Sequence, residues 1–141
     1  MTVMYAITKV ITFCYGHRLL QYEGKCNRLH GHNARVELEL SATQLDRLGM
    51  VRDFTDVKRA IQGWIDATLD HTLILHRDDP VVPSLQALKE PILLLEDNPT
   101  AERLARLIFE QADRLGLPVS AVRFWETESS FATYRPGAPV R

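Results

Sequence analysis

The sequence predicts an α+β fold: a four-stranded antiparallel sheet with two helices on one face, in the order ββααββ. Three observations predict it. Strand patterns occupy both ends of the chain, helical spacing occupies the middle, and 141 residues with 45% hydrophobic and 25% charged side chains suit one core. Strands at the two ends pair across the middle, so the helices are left to cover one face. Residues 1–141 are therefore expected to form a single domain.

The first strand is read over residues 2–14, where Val3, Tyr5, Ile7, Val10, Ile11, Thr12 and Phe13 supply β-branched and aromatic side chains. Residues 32–42 alternate, with Ala34, Val36, Leu38 and Leu40 on one side and Arg35, Glu37 and Glu39 on the other, the pattern of a half-buried antiparallel strand. The period then changes. Phe54, Val57, Ile61, Trp64, Ile65 and Thr68 follow helical spacing behind an N-cap at Asp53. Residues 77–84, polar and interrupted by Pro80 and Pro83, read as a loop. The second helix is read as starting at Asn98 as cap and Pro99 as first helical residue, and as ending at Gly116 and Pro118. Residues 119–126 and 130–135 close the sheet as two strands.

Several function classes are excluded. With 17 basic and 18 acidic residues the net charge is −1, which offers no general attraction to nucleic acid or to an anionic membrane. No apolar run approaches the roughly 20 residues of a membrane span. Two cysteines make no disulfide framework, and the first residues lack a signal-peptide pattern, so a cytoplasmic location is expected.

Chemistry is concentrated in the histidines. His30 and His32 are two residues apart, so in extended chain they point the same way, on the side of Ala34 and Val36. A buried imidazole needs a partner at each ring nitrogen, and zinc is one solution. His17, at the end of the first strand, reaches the same point if the two strands form a hairpin. Three histidines would make an open, catalytic type of zinc site. The other reading is of capping or surface histidines beside a glycine turn. Cys26 is open to three readings: a fourth zinc ligand, a base or nucleophile beside the metal, or a small packed side chain. Cys14, inside a strand, reads as packing. Asp70 and His71 close the first helix; an Asp at that end opposes the helix dipole, which favours an Asp-oriented histidine proton relay over a simple cap. Glu126 shares strand parity with Val122 and Phe124. A carboxylate there either recognises the edge of a polar ring or pairs with an arginine at the rim. His76 reads as surface.

The segments Phe13-Cys14-Tyr15-Gly16-His17 and Cys26-Asn27-Arg28-Leu29-His30-Gly31-His32 resemble the 6-pyruvoyl-tetrahydropterin synthase family, whose bacterial branch makes 6-carboxytetrahydropterin on the queuosine pathway. The resemblance continues in residues 49–54, in Leu69-Asp70-His71, in Asn98-Pro99-Thr100-Ala101-Glu102 and in Trp125-Glu126-Thr127, so it spans nearly the whole chain. It implies the tunnelling fold, in which subunits join through their sheets into a barrel, a hexamer (dimer of trimers) or a tetramer, with active sites between subunits. It implies zinc on His17, His30 and His32, with Cys26 as general base and not as a ligand. It further implies Asp70 and His71 as a second proton-transfer pair, Glu126 as pterin anchor coupled to the relay, and pterin contacts from Thr127 and Thr100.

The implied substrate is 7,8-dihydroneopterin triphosphate and the implied product 6-carboxy-5,6,7,8-tetrahydropterin, with loss of triphosphate and acetaldehyde. Retention of the side chain would give the pyruvoyl product instead, and a non-catalytic zinc module is the reading from another class. Tyr15 and Gly16 replace two alanines frequent in the family, and Leu75 stands where an asparagine often does.

Overall fold

The computed structural model of the chain describes residues 4–137. Strand β1 (Tyr5–His17) pairs antiparallel with β2 (His30–Ala42) over its full length, from Tyr5 opposite Ala42 to His17 opposite His30. Residues 2 and 3 of the first predicted strand lie outside the described residues. The remaining elements in chain order are α1 (Phe54–Thr68), β3 (Thr72–His76), α2 (Val82–Ala87), β4 (Ile92–Leu95), α3 (Ala101–Arg114), β5 (Val119–Thr127) and β6 (Ser130–Tyr134).

The architecture is α+β, but the sheet corrects the prediction. It has six strands in the order β4-β3-β1-β2-β5-β6, and it is mixed. Strands β1, β2, β5 and β6 form the expected antiparallel four, while β3 runs parallel to β1 and β4 parallel to β3. A third, short helix, α2, occupies part of the segment read as a loop, with proline tolerated in its first turn. Asn98 is not the cap of the long second helix. Thr100 caps α3 by accepting the Arg103 N–H at 3.2 Å. Asp53 caps α1 as expected, accepting from the Thr55 N–H.

Helices α1 and α3 bury one stripe each, Val57, Ile61 and Ile65 on α1 and Leu104, Ala105, Ile108 and Ala112 on α3. They meet the sheet face that carries Phe13, Tyr15, Val36, Leu38 and Phe124. Full burial of each large aliphatic side chain stabilises the fold by about 1.5–3 kcal/mol. The alternation of β1 continues to its last residue, so Phe13, Tyr15 and His17 point to the core and Cys14 points outward.

Candidate metal centre and proton relay

His17, His30 and His32 converge at one end of the β1–β2 ladder. The pairing of His17 with His30 brings the first two together, and strand parity places His32 on the same face. One ring nitrogen of each lies within 4.8 Å of the others, a group able to hold a metal ion. Nε2 of His17 is 3.1 Å from Nε2 of His32. The other ring nitrogens are oriented by backbone: His17 Nδ1 donates to the Pro99 carbonyl and His30 Nδ1 to that of Arg28, each at 2.7 Å. These carbonyls fix the tautomers and leave Nε2 of both rings as lone-pair donors, the outer-shell arrangement of metal-binding histidines. Burial is the main cause that takes His17 from 6.5 down to about 4, with its two neighbours adding to it and the Pro99 bond opposing it. Burial also lowers His32. Both rings are therefore neutral at pH 7, the form that binds metal.

Pro99 is held in place by its neighbour. The Asn98 side chain accepts the Leu20 N–H at 2.8 Å and donates to the Leu20 carbonyl at 3.0 Å, which ties the approach to α3 to the loop after β1. In the same loop the Leu19 N–H donates to the Cys26 carbonyl at 2.8 Å. Cys26 lies on a single 3-10 turn, Lys25–Asn27, and is half-buried. Among the described residues it does not join the three-histidine group.

Glu126 sits at a register irregularity between Trp125 and Thr127, a bulge that re-aims a side chain. Its carboxylate is 3.8 Å from His17 Nε2. A cavity of about 150 Å³ lies beside it, walled by Ala101, Glu102, Phe131 and Ala132. Tyr15, noted from sequence only as a departure, belongs to this site. Its ring centroid is 5.1 Å from that of His17 and 5.6 Å from that of His32. Its hydroxyl is buried beside Glu126 without a well-aligned hydrogen bond to it. Burial first, and the Glu126 charge second, push the phenol well above its ordinary range.

Asp70 and His71 lie elsewhere. They follow α1 and sit on the outward face of β1, against Cys14. The Asp70 carboxylate accepts the Cys14 N–H at 3.0 Å, the Cys14 carbonyl accepts the His71 N–H at 2.7 Å, and Asp70 Oδ1 holds His71 Nδ1 at 3.0 Å. The bond from the Cys14 N–H is the main cause that keeps Asp70 below the usual carboxylate range. His71 has φ of 56°, a left-handed conformation that lets the chain turn sharply into β3 while its ring stands in solvent. Cys14 is thus not a packing residue; it is exposed because it has the opposite parity to Phe13 and Tyr15. His76 is half-buried at the end of β3, its Nδ1 accepting the Asp78 N–H. Thr100 serves as the α3 cap, and Thr127 lines an outward cleft with Asn33, Arg35 and Trp125.

The family model for 6-pyruvoyl tetrahydropterin synthase matches residues 6–137. The chain belongs to that family. It is 36% identical over 135 residues to a 6-carboxy-5,6,7,8-tetrahydropterin synthase of Rickettsia typhi, covering 91% of this chain and 98% of the relative. A protein of the same name from Haemophilus influenzae is 32% identical, with 94% and 99% covered. Among solved structures, an uncharacterized protein of Wolinella succinogenes superposes with a TM-score of 0.81 at 29% identity, covering 96% of this chain and 99% of that one. The 6-pyruvoyl tetrahydropterin synthase of Caenorhabditis elegans shares the fold, with a TM-score of 0.71 at 23% identity over 96% and 98% of the two chains. No helix among the described residues is long and apolar enough to cross a membrane.

Proposed function

We propose that this family member is a zinc-dependent lyase that converts 7,8-dihydroneopterin triphosphate and one water to 6-carboxy-5,6,7,8-tetrahydropterin, releasing triphosphate and acetaldehyde in the cytoplasm. The observation that carries the reading is the convergence of His17, His30 and His32, two of them tautomer-fixed by backbone carbonyls, in a chain whose full-length relatives bear that enzyme's name. The donor set suits zinc: three neutral imidazoles with the fourth position open. Zinc held there supplies Lewis-acid activation of a substrate hydroxyl.

The chain's own residues do the rest. Glu126, beside the histidines, accepts paired N–H donors from the pterin ring. Tyr15 walls the buried side of that carboxylate. Cys26, outside the ligand group, is free to act as the base that takes a proton from the substrate side chain. Asp70 holds His71 in one orientation so that its ring moves the second proton. Thr127 and Thr100 add pterin contacts.

Because His71 stands on the other face of β1 from the three histidines, the relay comes from a second copy of the chain. Two further observations support a self-assembled barrel of the tunnelling-fold type. The cavity beside Glu126 is about 150 Å³, well below the roughly 300–1,000 Å³ of small-molecule sites, so its remaining wall is supplied from outside the subunit. Strands β4 and β6 also end the sheet with unpaired edges among the described residues.

Incubation of zinc-loaded protein with 7,8-dihydroneopterin triphosphate, followed by product mass, tests the reading. Acetaldehyde with the carboxypterin is the expected result. A pyruvoyl product assigns the chain to the other branch, and no release of triphosphate removes the lyase reading altogether.

A further inference from the structure

We propose that Cys14, Asp70 and His71 form a second zinc site, on the outward face of β1, whose occupancy blocks proton transfer by His71. One ligand atom of each residue lies within 4.8 Å of the other two. Zinc bonds of about 2.0–2.3 Å in a tetrahedral site place donor atoms roughly 3.3–3.8 Å apart. Asp70 Oδ1 and His71 Nδ1 lie at 3.0 Å in a hydrogen bond that an ion would replace, the exposed ring then carrying its proton on Nε2, and Cys14 is exposed, so rotation of its side chain can close the remaining gap.

The backbone beneath the site is locked. The Cys14 N–H and carbonyl bind Asp70 Oδ1 and the His71 N–H, so all three residues are fixed relative to one another before an ion arrives. Both contacts of the carboxylate fall on Oδ1, which leaves Oδ2 for a metal. A thiolate, a carboxylate and a neutral imidazole sum to two negative charges, which neutralise a divalent ion. The sulfur ligand selects zinc over magnesium or calcium. The site differs from the three-histidine group in position and in chemistry, since that group contains no sulfur.

Ion binding here would occupy the Asp70–His71 pair, and this inhibitory half of the proposal rests on the relay role given above. The metal half does not. Cobalt(II) titration of the metal-free protein separates them, because a thiolate–cobalt bond gives a near-ultraviolet charge-transfer band and an all-histidine site does not. The band is expected to grow with the second equivalent, to vanish in Cys14→Ser and to persist in Cys26→Ser. Removal of a ligand in His71→Ala is expected to weaken the second equivalent by at least about tenfold.

Absence of the band at any cobalt concentration overturns the site. So does its loss in Cys26→Ser with retention in Cys14→Ser. With zinc beyond one equivalent, turnover should fall at least tenfold in the wild type and stay level in Cys14→Ser, each relative to its own rate at one equivalent. A band without inhibition overturns the inhibitory half and leaves the metal site standing. If the protein makes no pterin product at all, the cobalt band still decides the site.

Discussion

The two faces of the last turns of β1 carry opposite chemistry. Inward, Tyr15 and His17 are 3% and 2% exposed, and burial holds His17 uncharged. Outward, Cys14 is exposed and the His71 side chain is 78% accessible, with a carboxylate at 3.0 Å to orient it. A dry site with neutral nitrogens suits a metal. A wet imidazole held by an ionised carboxylate suits proton movement. The alternation of β1 that points Tyr15 and His17 inward points Cys14 outward, beside the Asp70–His71 pair. The two proposed halves of the site can therefore be altered one at a time.

Substitution on each side should therefore fail differently. His71→Ala is expected to lower kcat by about 10²–10⁴-fold, the usual contribution of a positioned acid–base group, while zinc at the three histidines is unchanged. His32→Ala is expected to lose zinc affinity by well over about 10-fold, because removal of outer-shell partners alone costs about 10–100-fold, and turnover falls with it. Metal analysis after dialysis, beside steady-state rates, distinguishes the two variants. Mixing them after dissociation and reassembly sharpens the comparison. If the relay comes from a second copy, about a quarter of the sites recover both wild-type halves, and activity returns to about a quarter of the wild-type value. No recovery in a verified mixed oligomer would place both halves of the site on one chain.

The pH dependence of stability separates the faces by a smaller amount. His17 has its folded pKa below its unfolded value, so between pH 6.5 and about 4 the unfolded chain binds more protons. Its stabilisation is complete above pH 6.5 and is lost as pH falls toward 4, by about 3 kcal/mol in the metal-free protein. Denaturant unfolding across that window should show the loss, and His17→Gln should flatten it. Asp70 is depressed instead, so its contribution is present above its ordinary value of 3.8 and is lost only as pH falls below that. The two losses therefore occupy different pH windows.

Legibility from sequence followed the same physical lines. The hairpin and both long helices were readable because half-buried elements alternate or repeat. The three-histidine group followed from parity plus the hairpin, and Glu126 from its parity with Phe124. Strands β3 and β4 escape sequence patterning because Thr72–His76 is a largely enclosed run and Ile92–Leu95 a run of only four apolar residues, neither alternating, which periodicity cannot tell from helix or loop. Cys14 was misjudged because its neighbourhood is made by Asp70, 56 residues away. Its outward parity relative to Phe13 was the available signal. The helix-cap error at Asn98 has a similar origin: a good capping residue was engaged by Leu20, a partner no local pattern reveals.

The smallest effect concerns the residue between the two faces. Gly16 replaces a frequent alanine, and a Cβ there would lie 2.7 Å from Leu73 Cδ2 and 3.4 Å from the His30 carbonyl. Gly16 and Leu73 are register partners where β1 meets β3, so the missing methyl makes room for an apolar side chain of a strand that sequence patterning did not reveal. Gly16→Ala should cost about 1–2 kcal/mol from overpacking. The colliding atom is a side-chain end and not backbone, so the cost should be relieved by the neighbour. In a Leu73→Ala background the same change should fall below about 0.5 kcal/mol, and the difference is the coupling between two contacting residues. Thermal unfolding of the four proteins of that cycle measures it. Equal costs in both backgrounds would mean that the His30 carbonyl, and with it the floor of the three-histidine group, sets the requirement for glycine.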